Sequence, residues 1–88
     1  MRIDKFLKLS RIVKRRTEAK KACDNNCLKI NKEIAKAGDI IRPGDKIEVN
    51  FKNKILEVEV ITIPEGNVSI SRAHQLYRIV REEKKDLD

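Results

Sequence analysis

Aromatic side chains are scarce in this chain of 88 residues, which has two Phe, one Tyr and no Trp. Proteins that hold single-stranded nucleic acid often stack bases on exposed aromatic rings. The patterns around Phe6 and Phe51 place both rings in a core, and Tyr77 falls on an apolar stripe. Recognition by base stacking is therefore disfavoured, and contacts to the backbone and shape of a partner are favoured.

Histidine and glycine are equally sparse, and this argues against catalysis. The single histidine, His74, lies within a predicted helix, where we expect it to be solvated rather than to act as a general base. The three glycines, Gly38, Gly44 and Gly66, lie too far apart to form a phosphate-binding loop. No serine has a neighbouring base that would activate it. We expect a protein that is not an enzyme and needs no cofactor.

The two cysteines, Cys23 and Cys27, lack the further Cys and His ligands that a zinc site requires. A disulfide between residues four apart would be strained. With neither a zinc site nor a disulfide expected, we expect Cys23 to be buried and Cys27 to be half-buried, and we expect no metal. Long hydrophobic runs and a signal-peptide core are absent as well. These features predict a cytoplasmic protein that makes no use of a membrane.

Positive charge is abundant and unevenly placed. The net charge is +7, and residues 1–21 hold nine cations and only two anions, whereas residues 22–88 are balanced. Such a concentration is typical of a protein that binds a polyanion. A solubilising surface is the alternative, although solubility does not require cations on one side.

Two helices are predicted at the N-terminus. In the first, Ile3, Phe6 and Leu7, with Ser10 or Val13, share one face, whereas Lys5, Lys8 and Arg11 point away from it. The second begins near Thr17, faces inward with Ala19, Ala22 and Cys23, and ends at Asn25–Asn26, because asparagine tolerates the left-handed conformation that ends helices.

Strands are predicted next. Leu28 and Ile30 precede a turn at Asn31–Lys32, and the sequence Arg42–Asp45 (RPGD) is typical of a β-turn. Alternating apolar residues follow in "KIEVNF" and "KILEVEVITI", joined by a loop at Lys52–Asn53. The segment "SISRAHQLYRIVREEKK", residues 69–85, has apolar residues at helical spacing and is predicted to be a helix starting at Ser69 or Ser71.

The predicted fold class is therefore α/β in the α+β sense. Two N-terminal helices pack on a small antiparallel sheet, and a C-terminal helix follows, in the order α-α-β-β-β-α. We predict one domain, with residues 1–63 as its binding part and residues 64–88 as a helical extension that ends in a frayed charged tail. No feature suggests a dimer, so we expect a monomer.

The three consecutive cations Lys14–Arg16 stand directly before the second predicted helix. Free backbone N–H groups and the helix dipole attract phosphate there, and arginine offers a bidentate fork for phosphate oxygens. The alternative is a solvated loop, which the repulsion among these side chains disfavours. If the two helices lie side by side, Arg2 and Lys5 converge on the same face.

These motifs together resemble the S-four RNA-binding domain family, named after a ribosomal protein. The matching segments are Arg2–Lys5, Arg15–Ala19, Ile30–Asn31 and Gly44–Asp45, and the resemblance spans about residues 1–51. The amino-acid sequence of the N-terminal third is similar to that of the small bacterial members that act in ribosome-associated quality control. Departures occur at Lys32, where the family usually has glycine, and at Arg15, where it usually has serine or threonine.

The resemblance implies an RNA-binding protein that contacts ribosomal RNA and tRNA on stalled large ribosomal subunits. The implied partners are large-subunit RNA, peptidyl-tRNA and the factor that adds a C-terminal alanine tail to the nascent chain. Arg2 and Arg16 match the RNA-contacting arginines of the family. Proximity to the motif adds further RNA-binding candidates: Lys5, Arg11, Lys14, Arg15, Lys20 and Lys36.

Two other functions share the same domain and remain open at this point. One is a heat-shock-type RNA chaperone that binds ribosomes. The other is an accessory RNA-binding domain of an RNA-modifying enzyme. Asp4 is expected to support the first turn of helix one through the helix dipole and to brace a nearby arginine, and Asp45 is expected to be structural.

Overall fold

A five-stranded antiparallel sheet frames the protein. The computed structural model describes residues 1–15, 17, 21, 25–52 and 54–85. Within them the elements are α1 (Ile3–Leu9), β1 (Leu28–Ile30), β2 (Glu33–Ile34), β3 (Lys46–Asn50), β4 (Lys54–Val60), α2 (Ile70–Ala73) and β5 (Tyr77–Lys84). The strand order is β2-β1-β3-β4-β5, with every neighbouring pair antiparallel.

Helix α1 buries the face that its apolar spacing predicts. Ile3, Phe6 and Leu7 in the helix and Ser10 at its end are buried, which confirms the predicted inner face. Val13 is buried as well, but it lies beyond the helix, after the turn at Arg11. The Ser10 hydroxyl donates to the Leu7 carbonyl at 3.2 Å, so its burial leaves no unsatisfied polar group.

The sheet supplies the other half of the core. Ile47 on β3 lies opposite Val58 on β4, and Val49 lies opposite Leu56 and, on its other side, Leu28 of β1. All five are buried and belong to the same cluster as the apolar residues of α1. Because side chains alternate along a strand, the residues between them point to the opposite face.

Both predicted turns form. In the segment Arg42–Asp45 the Asp45 N–H donates to the Arg42 carbonyl at 3.1 Å, and Gly44 has a φ of 94°. Asn31 and Lys32, with φ values of 50° and 72°, join β1 to β2. Positive φ at both central residues is the pattern of a type I′ hairpin turn, so Lys32 adopts the left-handed conformation that glycine would take more cheaply.

The second predicted helix falls largely outside the described residues, because Ala19, Ala22 and Cys23 are not among them. Of its described members, Thr17 and Lys21 have helical backbone. The Asn25 N–H donates to the Lys21 carbonyl at 3.0 Å. Asn26 has a φ of 58°, as expected for the asparagine that ends this segment.

The C-terminal helix prediction is wrong over most of its length. Only Ile70–Ala73 is helical, and Tyr77–Lys84 forms the edge strand β5. The predicted order with three strands is corrected accordingly, whereas the α+β class with a small antiparallel sheet is confirmed. The division at residue 63 stays a prediction, although its second part is not a helical extension.

Long-range pairing explains why residues 77–84 form a strand. Without β5, the edge of β4 would present unpaired N–H and C=O groups. β5 covers that edge from Tyr77 opposite Val60 to Lys84 opposite Lys54, with a bulge beside Val58. Its β-branched and aromatic residues suit a strand, and tertiary pairing overrides their helical spacing.

Candidate nucleic-acid interface

Five cations recur at every third position through α1 and the turn after it. Their side chains are exposed, and we call them the basic stripe: Arg2, Lys5, Lys8, Arg11 and Lys14. Residues three apart on a helix lie on one face, so the helical part of this spacing forms a row opposite the buried face of α1. Four of the stripe's members, all except Arg2, have no carboxylate partner within the described residues.

Arg2 is held by the one buried carboxylate of this region. Asp4 is only 3 % exposed, and its Oδ2 lies 3.3 Å from Arg2 Nη2. Asp4 Oδ1 also accepts a hydrogen bond from the Lys5 N–H at 2.8 Å, and the carboxylate has further contacts. The Arg2 side chain nevertheless remains 51 % exposed, so the predicted bracing of an arginine by Asp4 is confirmed and leaves guanidinium surface for a partner.

The segment 35–41 packs against the start of α1. The Ile3 N–H donates to the Asp39 carbonyl at 2.8 Å, and the Ile41 N–H donates to the Met1 carbonyl at 2.9 Å. A turn closed by the Asp39 carboxylate, which accepts from the Lys36 N–H at 2.8 Å, presents an exposed Lys36. The structure therefore brings Lys36 to the same end of α1 as the first stripe residues.

The end of α1 has an unusual residue in its backbone. Arg11 has a φ of 63°, and its N–H donates to the Lys8 carbonyl at 3.0 Å. Glycine normally fills this left-handed position after a helix, because a side chain there costs about 1–2 kcal/mol. The chain turns sharply at this point and then buries Val13, so Arg11 and Lys14 stay beside Lys8 in an exposed position.

The outer face of the sheet carries many charges, but they pair with one another. Arg81 lies 3.0 Å from Glu48 and 3.7 Å from Glu57, and Lys29 lies 3.8 Å from Glu48. These four occupy one row across β1, β3, β4 and β5. The charges of this row are balanced, whereas the α1 side of the molecule carries the exposed basic stripe.

Asn31 and Asp45, two residues of the family pattern, contact each other. The Asn31 side-chain amide donates to Asp45 Oδ1 at 3.1 Å, and Asn31 Oδ1 accepts from the Lys46 N–H at 3.0 Å. Asp45 Oδ2 in turn accepts from the Arg42 N–H at 2.8 Å. These contacts join the two turns, which confirms the structural interpretation of Asp45.

The two Phe rings lie against the core as predicted, whereas Tyr77 packs there from strand β5 and not from the predicted helix. Phe6 is fully buried, and Phe51 and Tyr77 are half-buried against the core. Burial raises the pKa of the Tyr77 phenol above its usual value through desolvation. His74 is exposed at the end of α2, with its ring centroid 6.4 Å from that of Tyr77.

Cys27 is half-buried, as predicted, and its thiol donates to the Asn25 carbonyl at 3.6 Å. Within the described ranges, no three or more His, Cys, Asp or Glu side chains are grouped so that they could hold a metal ion. Nor does any helix in the described part of the chain have the length and apolar character needed to cross a membrane.

The predicted site residues thus form two groups. Arg2, Lys5 and Lys36 lie around the start of α1, and Arg11 and Lys14 lie at its end. Arg15 is exposed directly after Lys14, whereas Arg16 and Lys20 lie outside the described residues. The predicted list omits Lys8, although the three-residue spacing of cations is visible in the sequence and includes it.

Comparison with known proteins decides the family. The model of the S4 domain matches residues 1–47. The chain belongs to the S4 domain family. The resemblance inferred from the sequence is therefore confirmed, and the matched span contains the entire basic stripe, the segment 35–41 and the Asn31–Asp45 contact.

Curated relatives extend the similarity beyond this domain. The chain is 41 % identical over 83 residues to the RQC P-site tRNA stabilizing factor of Halalkalibacterium halodurans, covering 94 % of this chain and 93 % of that protein. It is 42 % identical over 84 residues to the factor of the same name from Bacillus subtilis, covering 96 % of both chains. The similarity to these two proteins therefore includes β4, α2 and β5.

Two solved structures have the same fold. The trimeric structure of Vibrio cholerae Heat Shock Protein 15 superposes with a TM-score of 0.81 at 23 % identity, covering 91 % of this chain and 81 % of that chain. The solution structure of the hypothetical protein HP1423 superposes with a TM-score of 0.79 at 33 % identity, covering 94 % and 100 %. The S4 domain fold of this chain is thus matched over nearly its full length.

Proposed function

We propose that this protein binds structured RNA on stalled large ribosomal subunits and stabilises the peptidyl-tRNA there during ribosome-associated quality control. The basic stripe carries this proposal: an exposed row of cations, four of which have no carboxylate partner among the described residues, in the segment that matches the S4 domain. The name of the similar proteins, RQC P-site tRNA stabilizing factor, supports the ribosomal setting.

The mechanism is electrostatic and based on shape. Lysines of the stripe contact phosphates as point charges, and the Arg2 guanidinium, oriented by Asp4, offers two parallel donors to one phosphate. Each contact releases condensed counterions from the RNA, which supplies much of the binding free energy at low salt. No proton transfer or covalent step is needed, so the protein acts by holding RNA rather than by catalysis.

The finer assignments extend this surface. Arg15, Arg16 and Lys20 follow the stripe in sequence and add contacts to ribosomal RNA or tRNA, and Lys36 adds one beside Arg2. By holding peptidyl-tRNA on the subunit, the protein gives the tail-adding factor time to extend the nascent chain with alanine. It acts in the cytoplasm as a monomer.

Retention of peptidyl-tRNA tests the proposal. Large subunits carrying labelled peptidyl-tRNA are incubated with the protein, and the tRNA that stays bound during a chase is measured. The double variant Lys5→Ala/Lys8→Ala should bind these subunits at least about tenfold more weakly and so retain less tRNA at the same protein concentration. The reason is that one charge-assisted hydrogen bond contributes roughly 1.5–3 kcal/mol.

The matched control is Lys46→Ala/Lys84→Ala, which removes the same charge from exposed positions on the sheet. It should retain peptidyl-tRNA as the wild type does. Retention that does not depend on the protein at all would contradict the proposed function. A second measurement adds the tail-adding factor and follows alanine addition to the nascent chain with and without the protein. A role in tailing predicts that the protein increases alanine addition, whereas a heat-shock-type chaperone should leave it unchanged.

A further inference from the structure

A cleft lies between the end of α1 and the loop that leads to α2. Its described lining includes Lys8, Arg11 and Lys14 on one side and Asn67 and Val68 on the other. Its volume is about 320 Å³. Small-ligand sites span roughly 300–1,000 Å³, so this cleft suits one small group and not a duplex.

The lining of the cleft has a positively charged part and a part that is apolar with one amide group. Three cations gather at the α1 end, and no carboxylate is found among the described residues that line the cleft. Buried Val13 and half-buried Val68 supply apolar surface beside them. The Asn67 amide adds one neutral group that can both donate and accept hydrogen bonds.

We propose that this cleft binds one nucleotide displaced from the bound RNA strand. The phosphate lies on Lys8, Arg11 and Lys14, and the sugar and base lie against the valines with a polar edge at Asn67. An asparagine amide carries an acceptor and two donors, so it can form paired hydrogen bonds with the edge of a base. The RNA as the source of the nucleotide rests on the proposed function, whereas the affinity of the cleft for a nucleotide does not.

The left-handed backbone at Arg11, where the chain turns after α1, places this arginine in the lining of the cleft. The chain places an arginine in a left-handed position where glycine is cheaper. Non-glycine residues held in this conformation cluster at ligand sites. The cost is offset if the Arg11 side chain has a ligand to contact in the cleft.

The first test is an NMR titration of the full ¹⁵N-labelled protein at constant ionic strength. Inorganic phosphate and the four ribonucleoside 5′-monophosphates are added separately. We expect saturable shifts at the amides of Lys8, Arg11 and Lys14 and at the side-chain amide of Asn67. At least one nucleotide should bind about 3- to 10-fold more tightly than phosphate, the gain that one or two added hydrogen bonds provide.

Three variants assign the two halves of the cleft. Lys8→Ala/Lys14→Ala should lose binding of both probes, and Asn67→Ala should keep phosphate binding but lose the preference for a nucleotide. Lys84→Ala, on β5, should change neither. Equal affinity for phosphate and nucleotides, or non-saturable shifts spread over the basic surface, would overturn the proposal.

A second arm distinguishes the source of the nucleotide. An RNA hairpin with one bulged nucleotide is compared with the same hairpin fully paired. The bulged hairpin should bind several-fold more tightly, and Asn67→Ala should abolish the difference. If both hairpins bind equally while a free nucleotide still binds the cleft, the cleft serves free nucleotides and its assignment to RNA is wrong. These outcomes need no ribosome, so they are independent of the peptidyl-tRNA experiment.

Discussion

The side-chain amide of Asn31 donates a hydrogen bond to the carboxylate of Asp45 at 3.1 Å and so links two turns that lie 14 residues apart. Replacing Asn31 with Ala removes this bond and the acceptor for the Lys46 N–H. We expect the free energy of unfolding to fall by about 2–4 kcal/mol, because each bond contributes roughly 0.5–1.5 kcal/mol and alanine at a φ of 50° adds about 1 kcal/mol of strain. Urea denaturation measures the change.

A double-mutant cycle isolates the contact itself. Asn31→Ala and Asp45→Ala should be less than additive when combined, because the second substitution removes a partner that is already lost. Strict additivity would show that the two turns fold independently. RNA binding of each folded variant should change little, because neither residue belongs to the basic stripe.

Arg11→Gly should move stability and RNA binding in opposite directions. Glycine relieves the strain of about 1–2 kcal/mol at φ 63° but loses more backbone entropy on folding, so the net stabilisation should be up to about 1 kcal/mol. It also removes one cation of the stripe, so affinity for RNA should fall. Thermal unfolding and an RNA titration of the same sample measure both effects.

Lys32→Gly is the matched control for Arg11→Gly. Lys32 has a comparable φ of 72°, but it lies in the β1–β2 turn outside the stripe. It should gain stability without losing affinity. A parallel loss of RNA affinity in both variants would show that net charge, and not the position of Arg11, determines binding.

Asp4→Asn tests whether the orientation of Arg2 matters. Removing a negative charge from a surface that binds a polyanion should by charge alone strengthen binding. If Asp4 instead orients the Arg2 guanidinium, the variant should bind RNA more weakly despite its higher net charge. Glu65→Gln, an exposed substitution with the same change of charge, should not weaken binding. Tighter binding by Asp4→Asn would contradict the positioning role.

Arg81→Ala examines the paired charges of the outer sheet face. Arg81 lies near both Glu48 and Glu57, and the substitution removes this partner from both carboxylates. Exposed ion pairs contribute little, so the loss of stability should be no more than about 1 kcal/mol. RNA affinity should stay near that of the wild type, although the substitution removes one positive charge. An affinity loss equal to that of Lys8→Ala would indicate that RNA binds the outer face of the sheet, which would contradict the proposed surface on α1.

Local signals in the sequence were enough to predict α1 and the two turns. The spacing of Ile3, Phe6 and Leu7 fits a helix of period 3.6, and Pro43–Gly44 fits a turn. The strand at 77–84 was not predictable in this way, because its apolar spacing also fits a helix. Its conformation depends on pairing with β4, which the local sequence does not encode.

Some residues of the candidate site are likewise predictable from local sequence, whereas others are brought to it only by the tertiary fold. The charge imbalance and the family motifs identify Arg2, Lys5, Arg11 and Lys14, since these residues are close in sequence. Asn67 has no local signal, because it meets α1 only through the tertiary fold. The RNA-binding role of every residue on the predicted list stays a prediction, and Arg16 and Lys20 also lie outside the described residues.

The salt dependence of binding to large ribosomal subunits tests the central claim most directly. Co-sedimentation with subunits carrying peptidyl-tRNA is measured over a salt series for the wild type, Lys8→Ala and Lys84→Ala. Each phosphate contact contributes about 0.7–0.9 to the slope of log affinity against log salt. Lys8→Ala should lower the slope by about that amount, and Lys84→Ala should leave it unchanged. A flat response of the wild type, or the same reduction in both variants, would contradict an RNA-binding surface on α1.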